Sequence, residues 1–177
     1  MHPLSEEQQH ILELVVQGKN VIVDAVAGTG KTTLVLGIAA AMKDQKILQV
    51  TYNAALRKDV QQRVSEEELP NLQVHTYHSL AKQHYLDVGY TDKEIRKALM
   101  NHVEPHNKIR TIDVLVVDEW LDMTHLYFQL LLKYLYDMKK RVQLIVLGDY
   151  KQGLYEFKGA DTRFLTMAKE FWKHSGF

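Results

Sequence analysis

The stretch "VIVDAVAGTGKTTLVLGIAAAM", residues 21 to 42, constrains the fold more than any other part of the chain. Its short apolar run, 21–24, reads as a buried strand, and the long apolar segment 31–43 reads as a helix. Between them lies a turn bracketed by Gly28 and Gly30. Glycines there let the backbone curl until several N–H groups point at one anion. The helix then turns the positive end of its dipole toward the same anion. Lys31 would supply a point charge to the β- and γ-phosphates, and the Thr32 hydroxyl would ligate Mg²⁺. Ala25 stands where the strict phosphate-loop pattern begins with Gly, a departure of one residue. A glycine turn can open a helix and bind nothing, but the strand–loop–helix context argues for a triphosphate-like ligand.

The rest of the chain repeats the alternation. Strands are expected at 21–24, 47–51, 73–75, 113–117 and 143–147. Their apolar residues are nearly continuous, as in strands buried on both faces of a parallel sheet. Helices are expected at 5–17, 31–43, 54–64, 79–87, 91–101, 123–138 and 163–174. The fold class is therefore α/β: a mostly parallel sheet with helices on both faces, in one domain of 177 residues. Segment 89–111 is the most polar and reads as an insertion between strands rather than a separate domain. Lys plus Arg equals Asp plus Glu at 22 each, which excludes a strongly basic nucleic-acid binder but not a local basic groove. Without cysteine there is neither a disulfide framework nor a thiolate metal site. No signal core or membrane span is readable, so a soluble, intracellular protein is expected.

"IDVLVVDEWLDM", 112 to 123, is an apolar strand ending abruptly in Asp118 and Glu119. At the C-terminal end of a strand in an open α/β sheet, these carboxylates would face the ligand crevice. Asp118 would hold Mg²⁺, and Glu119 would orient and deprotonate an attacking water. Capping of the following helix by one of them is the alternative. "VLGDYKQGLYEFKGAD", 146 to 161, follows another strand. There Gln152 is placed to touch the γ-phosphate, while Tyr155, Phe157 and Lys158 have the composition of a stacking platform for single-stranded nucleic acid. Ordinary core packing is the alternative for those aromatics.

These motifs, in this order, resemble the first RecA-like domain of superfamily-1 helicases of the UvrD/Rep type. "LSEEQQHIL" is similar to their Q motif, "AVAGTGKTT" to motif I and "VTYNAALRKDVQQRV" to motif Ia. "VHTYHSLA" matches a motif carrying Thr, an aromatic and His, "VVDEWLDM" resembles motif II, and "GDYKQGLYEFKGAD" resembles motif III. The likeness runs from about residue 4 to 165 and leaves 82–111 unmatched. It implies a P-loop NTPase with Gln8 reading adenine and Ala27, Gly28, Thr29, Gly30, Lys31, Thr32 and Thr33 around the phosphates. It further implies Asp118 with Thr32 on the metal, Glu119 on water and Gln152 on the γ-phosphate. Tyr52, Thr76, His78, Tyr155, Phe157 and Lys158 fall where the family contacts single-stranded DNA. The activity implied is ATP-driven translocation, usually 3′ to 5′.

The chain departs from that pattern in places. Leu121 replaces the usual Gln of motif II, and Glu156 replaces a small residue between the platform aromatics. No second RecA-like domain, and so no arginine finger, is found within the 177 residues, which suggests an excised half of a longer helicase. His75, His78 and His84, or His102 with His106, invite a metal reading, but the ligand set is incomplete. Met123, Tyr127, Leu130, Leu131, Tyr134 and Met138 recur at helical spacing and are expected in the core. Three function classes remain: the ATPase half of a DNA translocase, a binding module without turnover, and a small-molecule P-loop kinase. The first accounts for the aromatic motifs; a kinase would need an acceptor pocket instead.

Overall fold

A computed structural model of the chain describes residues 3–25, 28, 30–119 and 123–148. Its elements run α1 (Glu6–Val16), β1 (Val21–Asp24), α2 (Lys31–Ala41), β2 (Ile47–Thr51), α3 (Ala54–Glu66) and β3 (Leu72–Thr76). They continue α4 (Tyr77–His84), α5 (Asp92–Met100), β4 (Val114–Val117), α6 (His125–Met138) and β5 (Gln143–Gly148). All pairings are parallel, and the five strands lie in the order β1-β5-β4-β2-β3.

Position in the sheet explains the strand sequences. β2 and β4 are buried at every residue, whereas the edge strands β1 and β3 carry exposed positions. Successive residues of a central strand feed opposite faces. Ile47 and Val114 join the core under α1, α2 and α3, while Leu48 and Leu115 join the core under α4, α5 and α6. Each fully buried Val or Leu there contributes about 1.5–3 kcal/mol.

Capping residues move several helix ends from where apolar spacing placed them. The Thr76 hydroxyl accepts from the Ser79 N–H and the Ser79 hydroxyl from the Thr76 N–H, so α4 begins at Tyr77 rather than at 79. Thr124 caps α6, leaving buried Met123 just outside the helix. The other expected core residues of that helix are all buried. Segment 82–111 is woven into the fold: Tyr85, Leu86, Ile95, Ala98 and Ile109 are buried with α6 in one cluster. The expected helix at 163–174 lies outside the described residues.

Candidate active site

Strand register brings the motif-bearing segments to one edge. Asp24 lies beside Gly148, Val146 beside Val117, Val117 beside Val50, and Thr51 beside Thr76. The C-terminal ends of all five strands therefore form a single rim. Along it come the glycine turn after β1, the end of β5, Asp118–Glu119 after β4, Tyr52 after β2 and Thr76–His78 after β3. This is the edge at which open parallel sheets bind ligands.

At the β1 end, both glycines of the turn have positive φ, 85° at Gly28 and 83° at Gly30. A β-carbon on Gly30 would also lie 2.8 Å from the Gln8 side-chain nitrogen, which would have to shift, so the backbone conformation is what reserves the position for glycine. Gly30 caps α2 without a side-chain hydrogen bond, and Lys31, Thr32 and Thr33 form the half-buried first turn. Gln8 packs against this turn from α1. Its amide nitrogen donates to the Gly30 carbonyl at 3.3 Å, and its oxygen accepts from the Ser5 N–H in a capping box. Gln8 thus braces the glycine turn from α1. Ala27 and Thr29 lie outside the described residues.

Asp118 is 1 % exposed. Burial pushes its carboxyl above the usual range, against the nearby Lys31 charge, the Glu119 N–H and the Gln49 amide, which all favour the carboxylate. The Glu119 N–H donates to Oδ1 and Gln49 Nε2 to Oδ2, each at 2.9 Å. Glu119 itself has φ 53°, a left-handed conformation that a non-glycine residue adopts at a cost in strain. That backbone turns the chain off the end of β4 within one residue. The hard oxygen donors of Asp118 and Thr32 suit Mg²⁺, and among the described residues Lys31 is the one cation whose charge acts on the buried carboxylate.

The β2–β3 end is aromatic. Tyr52 is 51 % exposed and its ring centroid is 5.9 Å from that of Tyr127. Tyr127 stacks on buried Tyr77 at 4.6 Å, and the His78 ring meets Tyr127 edge-on at 5.7 Å. Asp92 anchors the group, accepting from the Tyr127 hydroxyl at 2.8 Å and pairing with His78 Nε2 at 2.9 Å. Thr76 is the N-cap of α4. It is 6 % exposed, and its hydroxyl accepts from the Ser79 N–H in the cap that positions Tyr77 and His78. Gln152, Tyr155, Phe157, Lys158, Leu121 and Glu156 lie outside the described residues.

A sequence profile described as AAA domain matches residues 8–158. The chain belongs to the AAA domain family. Among solved structures this AAA domain is similar to the Pif1 helicase from Candida albicans, with 23% identity over 85% of this chain and 33% of that one, TM-score 0.52. It is also similar to a Pif1 structure concerned with unwinding of forked duplex DNA by two coordinating helicases: 16% identity, 95% and 38% coverage, TM-score 0.54. A third neighbour is Bacteroides sp. Pif1 in complex with ADP-AlF4, with 18% identity, 97% and 37% coverage and TM-score 0.53. No curated protein matches the sequence. The likeness establishes the RecA-like P-loop fold, and the chain spans 33–38% of the length of these neighbours. The UvrD/Rep subtype rests on the motifs alone.

Two residues of this AAA domain escaped the sequence reading. Gln49 carried a signal, being an amide inside an apolar strand. Asp92 carried none, because its partners His78 and Tyr127 are 14 and 35 residues away.

Proposed function

We propose that the chain is the ATP-binding half of an ATP-dependent DNA helicase or translocase. The observation that carries this is the rim: Lys31 opens α2 close enough to influence the buried Asp118, with Glu119 next to it on a strained backbone. Lys31 and the first amides of α2 would hold the β- and γ-phosphates. Asp118 and Thr32 would hold Mg²⁺, which supplies neutralisation of phosphate charge when bound. Glu119 would take a proton from water as its oxygen attacks the γ-phosphorus and ADP leaves. Gln8, Ala27, Gly28, Thr29, Gly30 and Thr33 complete the nucleotide contacts in this reading, and Gln152 meets the γ-phosphate.

Single-stranded DNA would lie along the β2–β3 end of the rim, on Tyr52 and His78, and Tyr155, Phe157 and Lys158 are further DNA contacts in this reading. A second RecA-like domain would close the nucleotide cleft and bring the cationic groups that speed turnover. The three neighbours are Pif1 helicases, not UvrD or Rep proteins, so the proposal makes the direction of movement a matter for measurement. The decisive experiment measures binding of a fluorescent ATP analogue and DNA-stimulated phosphate release by a two-domain form. Nucleotide binding without release, or release indifferent to DNA, would reduce the protein to a binding module.

A further inference from the structure

Strand β2 reads ILQVT, and its central Gln49 is completely buried on the face toward α1, α2 and α3. An apolar side chain would fill that place without desolvating an amide, which is costly unless its hydrogen bonds are replaced. Only half of the amide is compensated among the described residues: Nε2 donates to Asp118 Oδ2 at 2.9 Å, while Oε1 has no partner there. The bond spans neighbouring strands, since Gln49 lies beside Val116, two residues before Asp118. The other carboxylate oxygen is fixed by the Glu119 N–H. Asp118 is thereby held at both oxygens, from its own turn and from the adjacent strand.

We propose that Gln49 is a positioning residue for magnesium–nucleotide binding: it fixes the rotation of the Asp118 carboxylate so that the remaining lone pairs stay available to the metal. The inference rests on the reading of Asp118 as a magnesium ligand. It explains why a strand otherwise built for burial tolerates an amide with an orphaned oxygen. Groups that orient a metal ligand typically change metal affinity by about 10–100-fold when removed.

The test measures affinity for a fluorescent ATP analogue in Mg²⁺ and in EDTA, for the wild type, Gln49→Leu, Asp118→Asn and the double variant. In Gln49→Leu the gain in affinity on adding Mg²⁺ should fall by about tenfold or more. Affinity in EDTA should stay the same. In the Asp118→Asn background the same change should have no further effect. A full Mg²⁺ gain in Gln49→Leu, or an equal loss in EDTA, overturns the positioning role while leaving the magnesium site intact. No Mg²⁺ gain in the wild type overturns the reading of the site itself. Should Gln49→Leu fail to fold, Gln49→Met carries the same comparison.

Discussion

Asp113 and Asp118 stand at opposite ends of β4 and are treated in opposite ways. At the N-terminal end, Asp113 accepts from the Lys46 N–H at 2.7 Å and pairs with the Lys140 ammonium. Burial raises its carboxyl, but Lys140, the Lys46 amide and the lysine charges outweigh it and hold the group below the usual range. At the C-terminal end, Asp118 is more deeply buried, feels one cation among the described residues, and is pushed up. One carboxylate is completed by the chain itself and ties loops together. The other is left short of positive charge at the rim where the glycine turn ends. A fold can afford such a deficit at few places, and this one coincides with the phosphate-loop lysine.

The largest effects expected lie at the Asp118 end. In a two-domain form, Lys31→Ala should abolish nucleotide-dependent phosphate release, because the phosphate charge loses its main cation. Glu119→Gln should bind nucleotide normally yet turn over about 10²–10⁴-fold more slowly, the usual reach of general-base catalysis. Single-turnover phosphate release checks both. A Glu119→Gln protein as fast as the wild type would leave the strained turn without a catalytic purpose.

Further along the rim, Tyr52→Ala should cost about 1–3 kcal/mol of single-strand affinity, with little dependence on base sequence. Thr76→Ala should instead reveal itself in stability, by about 1 kcal/mol through the lost cap of α4. Anisotropy titrations beside thermal melts separate the two. Tyr52→Ala binding DNA like the wild type would confine the rim's function to its nucleotide end.

Asp118→Asn sharpens the contrast most directly. Without Mg²⁺ or nucleotide it should raise the melting temperature at neutral pH by about 2–4 °C, as relief of about 1 kcal/mol does in a chain of this size. The sign follows from the raised carboxyl: wild-type stability is complete while Asp118 is protonated and is lost as pH rises through its folded value. The advantage of Asn should therefore grow from acidic toward neutral pH. Melts across that range that show Asn destabilising throughout would mean Asp118 is a structural residue like Asp113.

How much of this was legible depended on range. The strands β2, β4 and β5 could be read from ILQVT, VLVV and QLIVLG because burial on both faces writes a continuous apolar run, and VIVD at the edge is apolar although its Ile22 is exposed. Lys31, Asp118 and Glu119 were legible because strand ends announce themselves. The start of α4 was misplaced by two residues, since Ser79 looked like a first helical residue whereas it is the distal half of a capping box. Polar segment 82–111 suggested an insertion, yet Ile95 and Ala98 sit at helical spacing and dock α5 into the core. Pairings such as Asp92 with Tyr127 depend on the fold bringing distant residues together, and no local pattern encodes them.

The smallest expected effect is the mirror image of Asp118. Asp113→Asn should destabilise the protein at neutral pH by no more than about 1 kcal/mol, because its Lys140 partner is 42 % exposed and solvent screens the pair. Here the carboxyl is lowered, so its contribution is present above the unfolded value and disappears as pH falls through the folded one. The penalty should thus shrink below about pH 4, where Asp118→Asn also ceases to help, and shrink again in high salt. Melting curves of both variants against pH should consequently diverge in opposite directions from the wild type as pH rises. If they move in the same direction, burial and not the local supply of positive charge governs both carboxylates, and the two ends of β4 are not different in kind.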